Sequence, residues 1–351
     1  MQPRVLHLAA GNRWTGAAAP AFAEVEALRA AGVEAHYAYV GGYKLEAKIS
    51  GHPFTHPVIE KAQNPAAFRR SVSAIRRLVR EHGINILHAH LTYDHWLAHF
   101  AATEGVRIAR TFHARRVLRN DPFSRHLMRR TDALFVINDG FRDSAVLRGH
   151  EPTFTPPPLD LKQFSPGETM VRSLYGIPSS AKLVTVIGKL SPGRGFEEAL
   201  DSFAALRQRM PEAWLMVIGH GEHRAILEER ARALGITGHL FWAGYHEDDL
   251  AEHYRASDLL FFTARGSDEG HRAVLEAMAC GVPVVSYPIE GVDTLIGPDM
   301  VAASASPEAL APLAAEVLTS DREASRVRVI ARAQEFGYAK AAQRLMRVYG
   351  R

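Results

Sequence analysis

The 351-residue sequence contains a single cysteine, Cys280, so no disulfide can close within the chain and a disulfide-stapled scaffold is excluded. It has no apolar run approaching the roughly 18–20 residues that a membrane span requires. Met1-Gln2-Pro3-Arg4 leads directly into the strand-like VLHLAA, without the apolar segment and cleavage site of a secretory signal. Lysine is also scarce: of 42 basic residues only seven are Lys. Disorder is excluded as the main state, because 47% of the residues are hydrophobic. The expectation is a soluble protein of a reducing, cytoplasmic compartment. Its length exceeds one ordinary core and suits two α/β domains of about 150 residues each.

The basic residues are unevenly placed. Residues 1–165 hold 22 Lys and Arg against 14 acids, a net of +8, whereas the remainder holds 20 against 24. Residues 66–132 alone contain 13 Arg and five acids. One half facing an anionic partner would explain this, and so would an Arg-biased but merely solvated surface.

Short β-rich runs alternate with helical patterns. The first series of strands is VLHLAA (5–10), EAHYAYV (34–40), INILHAH (84–90), RIARTFH (107–113) and ALFVIN (133–138). Helical periodicity fills Ala17–Ala31, Phe68–His82, His95–Glu104 and Gly140–Arg148. After the proline-rich PPPLDLKQFSPGE (156–168) come LVTVIG (183–188), AWLMVIG (213–219), LFWAG (240–244), LLFFT (259–263) and PVVSY (283–287). Alternation of this kind predicts two doubly wound parallel α/β domains facing each other across a cleft, with ligands at the carboxyl ends of the strands.

The loops at those ends carry chemistry. Gly188-Lys189-Leu190-Ser191-Pro192-Gly193-Arg194-Gly195 places two cations on a turn that enters a helix, suited to clamping a diphosphate. Gly219-His220-Gly221-Glu222 has the form of a tight strand–helix turn. Gly244, after Trp242 and Ala243 and before Tyr245, would let a flat group approach the backbone, the aromatics there reading as core. In a third loop Asp268 precedes Glu276 by eight residues, with Glu269, Gly270 and His271 between. Glu276 sits among Val274, Leu275, Ala277, Met278 and Ala279, where a carboxylate needs a function or a buried partner.

The third segment resembles the acid–seven residues–acid motif of retaining glycosyltransferases of family 4, whose GT-B fold pairs two Rossmann-like domains. LEAMACGVPVVSYPIEGV (275–292) is very similar to the family's LEAMACGxPVVaxxxGG, and VIGKLSPGRGFEEALDSFAAL (186–206) to its GRLxxxKGxxxLixAfaxL. DLKQF (160–164) matches the family's linker VDxxxF, and EFGYAKAAQRLMRVYG (335–350) its C-terminal helix, which crosses back onto the first domain. The resemblance implies an acceptor-binding domain over 1–165, a nucleotide-sugar domain over 166–334 and the crossing helix over 335–351.

Carried over position by position, Glu276 would bind the donor ribose and Asp268, or Glu269 if the register slips, the donor sugar. Lys189 and Arg194 would bind the diphosphate, with the two cation types swapped relative to the family. Gly188, Gly219, Gly244, Gly270 and His271 would line the donor pocket, and the family's Gly-Phe-Gly is replaced by Glu269-Gly270-His271. His113, after RIARTF, matches the family's histidine near the sugar. Gly11 and Gly16, flanking Asn12-Arg13-Trp14-Thr15, match the first-strand glycine loop, without its Gly-Gly pair.

The resemblance implies retaining transfer without a bound metal or other cofactor, from a donor of UDP or GDP type to a glycan or lipid-linked acceptor. His88, His90, His95 and His99 imitate metal-ligand spacing, but no carboxylate or cysteine completes the set in sequence. Asp248-Asp249 reads as a pair of helix-start acids. On helix 68–82, Phe68, Val72, Ile75 and Val79 share one face and Arg69, Arg76 and Arg80 lie opposite. Arg115, Arg116, Arg119, Arg125, Arg129 and Arg130 follow, with Asp121-Pro122 as a helix cap and first turn. That surface suits an anionic membrane at the inner face of the cytoplasmic membrane, or a polyanionic acceptor. Nucleic acid is disfavoured, since few aromatics interleave the arginines. An epimerase-like GT-B enzyme and a non-enzymatic polyanion binder are the alternatives.

Overall fold

A computed structural model describes residues 2–12, 14, 16–61, 63–263 and 270–350. The chain divides into two compact units: Met1–Pro158 with Phe336–Arg351, and Leu159–Glu335.

Unit 1 is a seven-stranded parallel sheet formed by β1 (Arg4–Ala9), β2 (Glu34–Val40), β3 (Thr55–Ile59), β4 (Ile86–Ala89), β5 (Arg107–Phe112), β6 (Ala133–Val136) and β7 (Thr153–Phe154). Its order is β3-β2-β1-β4-β5-β6-β7, so the winding reverses between β1 and β4. The central strands are buried on both faces, so that besides their apolar residues the polar side chains of His7, His88 and Arg110 are enclosed as well. The helix Pro65–His82 shows how sequence sets the boundaries. The Asn64 side chain accepts from the Ala67 N–H, Pro65 opens the first turn, and Gly83 ends it at φ 58°. Val72, Ile75 and Val79 are buried, and Arg69, Arg76 and Arg80 are exposed. The helix Tyr338–Tyr349 packs on the helix Ala18–Ala30, adding Ala341, Ala342, Leu345 and Val348 to the core.

Unit 2 is a five-stranded parallel sheet: β8 (Lys182–Ile187), β9 (Ala213–Ile218), β10 (Leu240–Gly244), β11 (Leu259–Phe262) and β12 (Val284–Ser286). Its order β10-β9-β8-β11-β12 reverses between β8 and β11. Loops at such a reversal diverge and leave a crevice, so the turns after β8 and β11 are where this fold admits a ligand.

The structure differs from the sequence expectation at three elements. β3 and β7 were not expected; THPVI is half polar and β7 is two residues long. Gly140–Arg148 is not one helix but two 3₁₀ turns, Asp139–Asp143 and Ala145–Leu147, because Ser144 between them is extended (φ −60°, ψ 135°). Among the described residues no helix is long and apolar enough to cross a membrane.

Candidate active site

In unit 2 the strand-end turns are pinned to one another through backbone. Gly188 N–H donates to the Ile218 carbonyl (3.0 Å), Leu190 N–H to His220 (3.0 Å) and Gly219 N–H to Gly244 (2.6 Å). The approach is so close that a Cβ on Gly219 would lie 1.8 Å from the Gly188 oxygen. Gly219 also has φ 139°, so glycine is required there by both space and conformation. The ends of β8 and β11 are tied as well: the Thr263 hydroxyl, just past β11, donates to the Gly195 carbonyl (2.7 Å). Gly195, at φ 79°, is the N-cap of the helix Phe196–Arg207 and offers no side chain to its first turn.

The expected cations sit on this platform. Lys189 is exposed, with Nζ 3.9 Å from Glu222 Oε2, a solvent-screened pair of little strength that leaves the lysine able to turn toward a ligand. Arg194 is half-buried on the same turn. Beyond β10, Tyr245 is 61% exposed and meets the His220 ring edge-on at 5.1 Å, so it is not the core aromatic expected from sequence. Trp242 does pack against the core, under the Arg224 guanidinium.

Asp268 and Glu269 lie outside the described residues, as do Arg13 and Thr15 of the first-strand loop. Gly270 is buried and leads to His271, the one non-glycine residue at positive φ (52°) among the described residues. His271 caps the helix Arg272–Ala279 and its Nε2–H donates to the Glu290 carbonyl (2.9 Å). Glu276, on that helix, is only 6% exposed. Its Oε2 accepts from the Tyr254 hydroxyl (3.1 Å) and its Oε1 lies 3.2 Å from Arg272 Nε. The linker reaches the same place: Asp160 accepts from the Lys162 N–H (2.8 Å), turning the chain so that Phe164 packs against Tyr254. Tyr254, the partner that a buried carboxylate needed, was not foreseen in the sequence.

At the other end of this helix system, Asp249 does stand at a helix start, before Leu250–Ala256, but its carboxylate makes no capping bond. It pairs with His246 Nδ1 at 2.9 Å instead, which holds it below the usual carboxylate range despite the opposing effect of burial.

In unit 1 the neighbouring strands β1, β4 and β5 bring His90, one residue past β4, and His113, one past β5, to adjacent strand ends, with the Gly16 backbone at His113. A Cβ on Gly16 would meet nothing within 4 Å. His113 Nε2 lies 2.9 Å from His90 Nδ1, and His90 Nε2 lies 2.9 Å from His7 Nδ1, so three rings form a hydrogen-bonded line. Burial, then the Arg110 charge, lowers the His113 pKa to about 3, against the pull of the Gly16 backbone. His113 is therefore a neutral imidazole at neutral pH.

Arg110 is an additional buried charge. Its Nε and Nη1 have no hydrogen-bond partner among the described residues, and burial lowers its pKa to about 10 although Asp94 opposes this. The imitation of a metal set by His88, His90, His95 and His99 separates in space. His95 bonds Thr131 (2.8 Å) and His99 approaches Arg130, whereas a carboxylate, Glu24, joins His7, His88 and His90.

The surface arginines divide. Arg69, Arg80, Arg116 and Arg119 are exposed. Arg76 donates to the Phe100 carbonyl (2.8 Å), and Arg115 to Asp143 (2.9 Å) and the Gly140 carbonyl (2.5 Å), so both also pin backbone. Asp121 caps the helix Pro122–Met128 through the Phe123 and Ser124 N–H groups.

Comparison with known proteins identifies the family and the fold. Residues 14–163 match the family described as Glycosyltransferase Family 4, and residues 171–336 the family described as Glycosyl transferases group 1. A mannosylfructose-phosphate synthase of Agrobacterium fabrum is 34% identical over 143 residues, 37% of this chain and 31% of that protein. A GDP-mannose-dependent phosphatidylinositol monomannoside mannosyltransferase of Mycolicibacterium smegmatis is 32% identical over 141 residues, 37% of each chain. The match thus spans about a third of the length of these curated relatives. The crystal structure of Anabaena HepE in complex with UDP superposes with TM-score 0.81 at 16% identity over 99% of both chains, a likeness of fold. This chain belongs to glycosyltransferase family 4 and has the GT-B fold of two Rossmann-like units.

Proposed function

We propose that this protein is a retaining, nucleotide-sugar-dependent hexosyltransferase acting in glycan or glycolipid synthesis. The observation that carries the reading is Glu276. It is a nearly buried carboxylate held by Tyr254 and Arg272 on the helix that follows the β11 loop, and the end of β11 is tied to the turn after β8 through Thr263 and Gly195. A rigid carboxylate suits a ribose diol, and the cations of the turn after β8 suit a diphosphate. The relative from Mycolicibacterium is named for GDP-mannose and the Anabaena structure holds UDP, which supports a donor of GDP or UDP type.

In this reading Lys189 and Arg194, with the helix start at Gly195, take up the charge that develops on the leaving diphosphate, so no metal or other cofactor is needed there. The bond from the sugar C1 to the diphosphate oxygen breaks as the acceptor oxygen bonds C1 on the same face. The acceptor proton passes to the departing phosphate oxygen. Asp268, or Glu269, orients the sugar, and neutral His113 is a hydrogen-bonding positioning group.

The acceptor would meet unit 1. Exposed Arg69, Arg80, Arg116 and Arg119 share that unit with Phe123 (70% exposed) and Phe100 (48% exposed), both in ring contact with Trp96. Arginine beside exposed aromatic rings suits the surface of an anionic lipid layer and a lipid-linked acceptor, which would place the enzyme peripherally at the inner face of the cytoplasmic membrane.

The test is turnover of Lys189→Ala/Arg194→Ala with a competent nucleotide sugar. A loss of at least about tenfold supports the diphosphate clamp, and near-normal turnover overturns it.

A further inference from the structure

Four polar side chains of unit 1 converge where a core should be apolar. His7 lies on β1, Glu24 on the helix Ala18–Ala30, His88 on β4 and His90 one residue beyond it. They are 0%, 1%, 0% and 1% exposed. None of the four has a part in the transfer reaction proposed above, and the inference below does not rest on that reading.

The geometry points to a binding site for a divalent transition-metal cation of the Zn²⁺ class, held by His7 Nδ1, His88 Nδ1, His90 Nε2 and Glu24 Oε2. Glu24 Oε2 lies 3.6 Å from His7 Nδ1, 3.7 Å from His88 Nδ1 and 3.8 Å from His90 Nε2. His7 Nδ1 is 2.9 Å from His90 Nε2, and all four donor atoms lie within 4.8 Å of one another. Donors about 2.0–2.1 Å from a tetrahedral centre stand about 3.3–3.4 Å apart, so the observed spacings bracket the requirement.

The second observation is the carboxylate itself. Glu24 Oε2 is buried, has no hydrogen-bond partner among the described residues, and faces three imidazole nitrogens just beyond hydrogen-bond reach. An unpaired buried carboxylate is costly. A divalent cation among the donors supplies the missing partner, with Glu24 giving up its proton.

The outer contacts also fit. His88 Nε2 lies 2.7 Å from Thr111 Oγ1 and His90 Nδ1 lies 2.9 Å from His113 Nε2, the kind of partners that orient metal-bound imidazoles. Three nitrogens and one carboxylate favour Zn²⁺ over the all-oxygen preference of Ca²⁺ or Mg²⁺. Ligation replaces two contacts, that of the Tyr349 hydroxyl 2.6 Å from His88 Nδ1 and the His7 Nδ1–His90 Nε2 hydrogen bond. Ligation through His90 Nε2 also puts the His90 proton on Nδ1. His113 then accepts at Nε2 and carries its own proton on Nδ1, so the ion sets the tautomer of a residue at the strand ends.

The experiment equilibrates the full chain with Zn²⁺, removes loose metal by desalting and counts what remains. Parallel Co²⁺ loading reads the visible bands of tetrahedral coordination. The expected result is about one retained ion per chain with tetrahedral Co²⁺ bands, and at least about tenfold weaker retention in Glu24→Gln. Tyr349→Phe keeps all four donors, so it retains the ion even if Glu24→Gln fails to fold. His56→Gln, which breaks the separate His36–His56–His82 group, leaves the count unchanged. Retention below about a tenth of an ion per chain, undiminished retention in folded Glu24→Gln, or loss confined to His56→Gln would each overturn the assignment.

Discussion

The His271 ring and the Glu290 carbonyl are joined by a 2.9 Å hydrogen bond, and that bond accompanies a backbone at φ 52°. A residue with a Cβ pays about 1–2 kcal/mol for this conformation. Where relatives in the resemblance carry glycine, this chain carries a histidine that bonds across to the loop after β12 and lays its ring against Phe262. The turn entering the Glu276 helix is therefore held by a side chain.

Two substitutions separate the strain from the bond. His271→Ala keeps the strain and loses the bond, whereas His271→Gly loses both. His271→Gly should be the more stable of the two by about 1 kcal/mol, read as a higher urea midpoint. Equal midpoints would show that the positive φ costs nothing.

Acidification should destabilise the fold. Burial lowers the pKa of His95 to about 3 and, with help from His36 and His82, that of His56 to about 4, against an ordinary value of 6.5. Below 6.5 the unfolded chain takes up protons that the folded chain refuses. The unfolded state then binds more protons, and stability falls as pH drops from 6.5 toward 4. The melting temperature should decline across that window in wild type and decline less in His95→Gln. The same decline in both would remove His95 from the account.

The basic surface of unit 1 gives a third prediction. The protein should co-sediment with anionic vesicles at low salt and not with neutral ones, and the recovery should fall in Arg116→Ala/Arg119→Ala, two exposed residues. Equal recovery with both kinds of vesicle would remove the membrane reading.

The strand series, the amphipathic helix Pro65–His82 and the glycine turns were legible because period, caps and turn residues are local. β3 and β7 were not: one is half polar and the other too short to show alternation. Glu276 was legible as a buried acid, but Tyr254, 22 positions away, was not, because nothing local marks a pair that only packing brings together. The same reason hid the His7–Glu24–His88–His90 group. Sequence spacing suggested His95 and His99 as companions, while the sheet registers His7 beside His88 across β1 and β4. Arg110 escaped notice because a strand arginine reads as solvated, whereas this one is 1% exposed.

The central claim is that unit 2 binds a nucleotide sugar through Glu276. The most direct measurement is calorimetric titration of UDP-, GDP- and ADP-sugars into wild type and Glu276→Gln, with the fold of the variant checked by its melting temperature. The account predicts binding of one nucleotide class by wild type and roughly 10–100-fold weaker binding by the variant, the worth of a charged hydrogen bond. Absence of binding for every donor, or equal affinity in the folded variant, would contradict it.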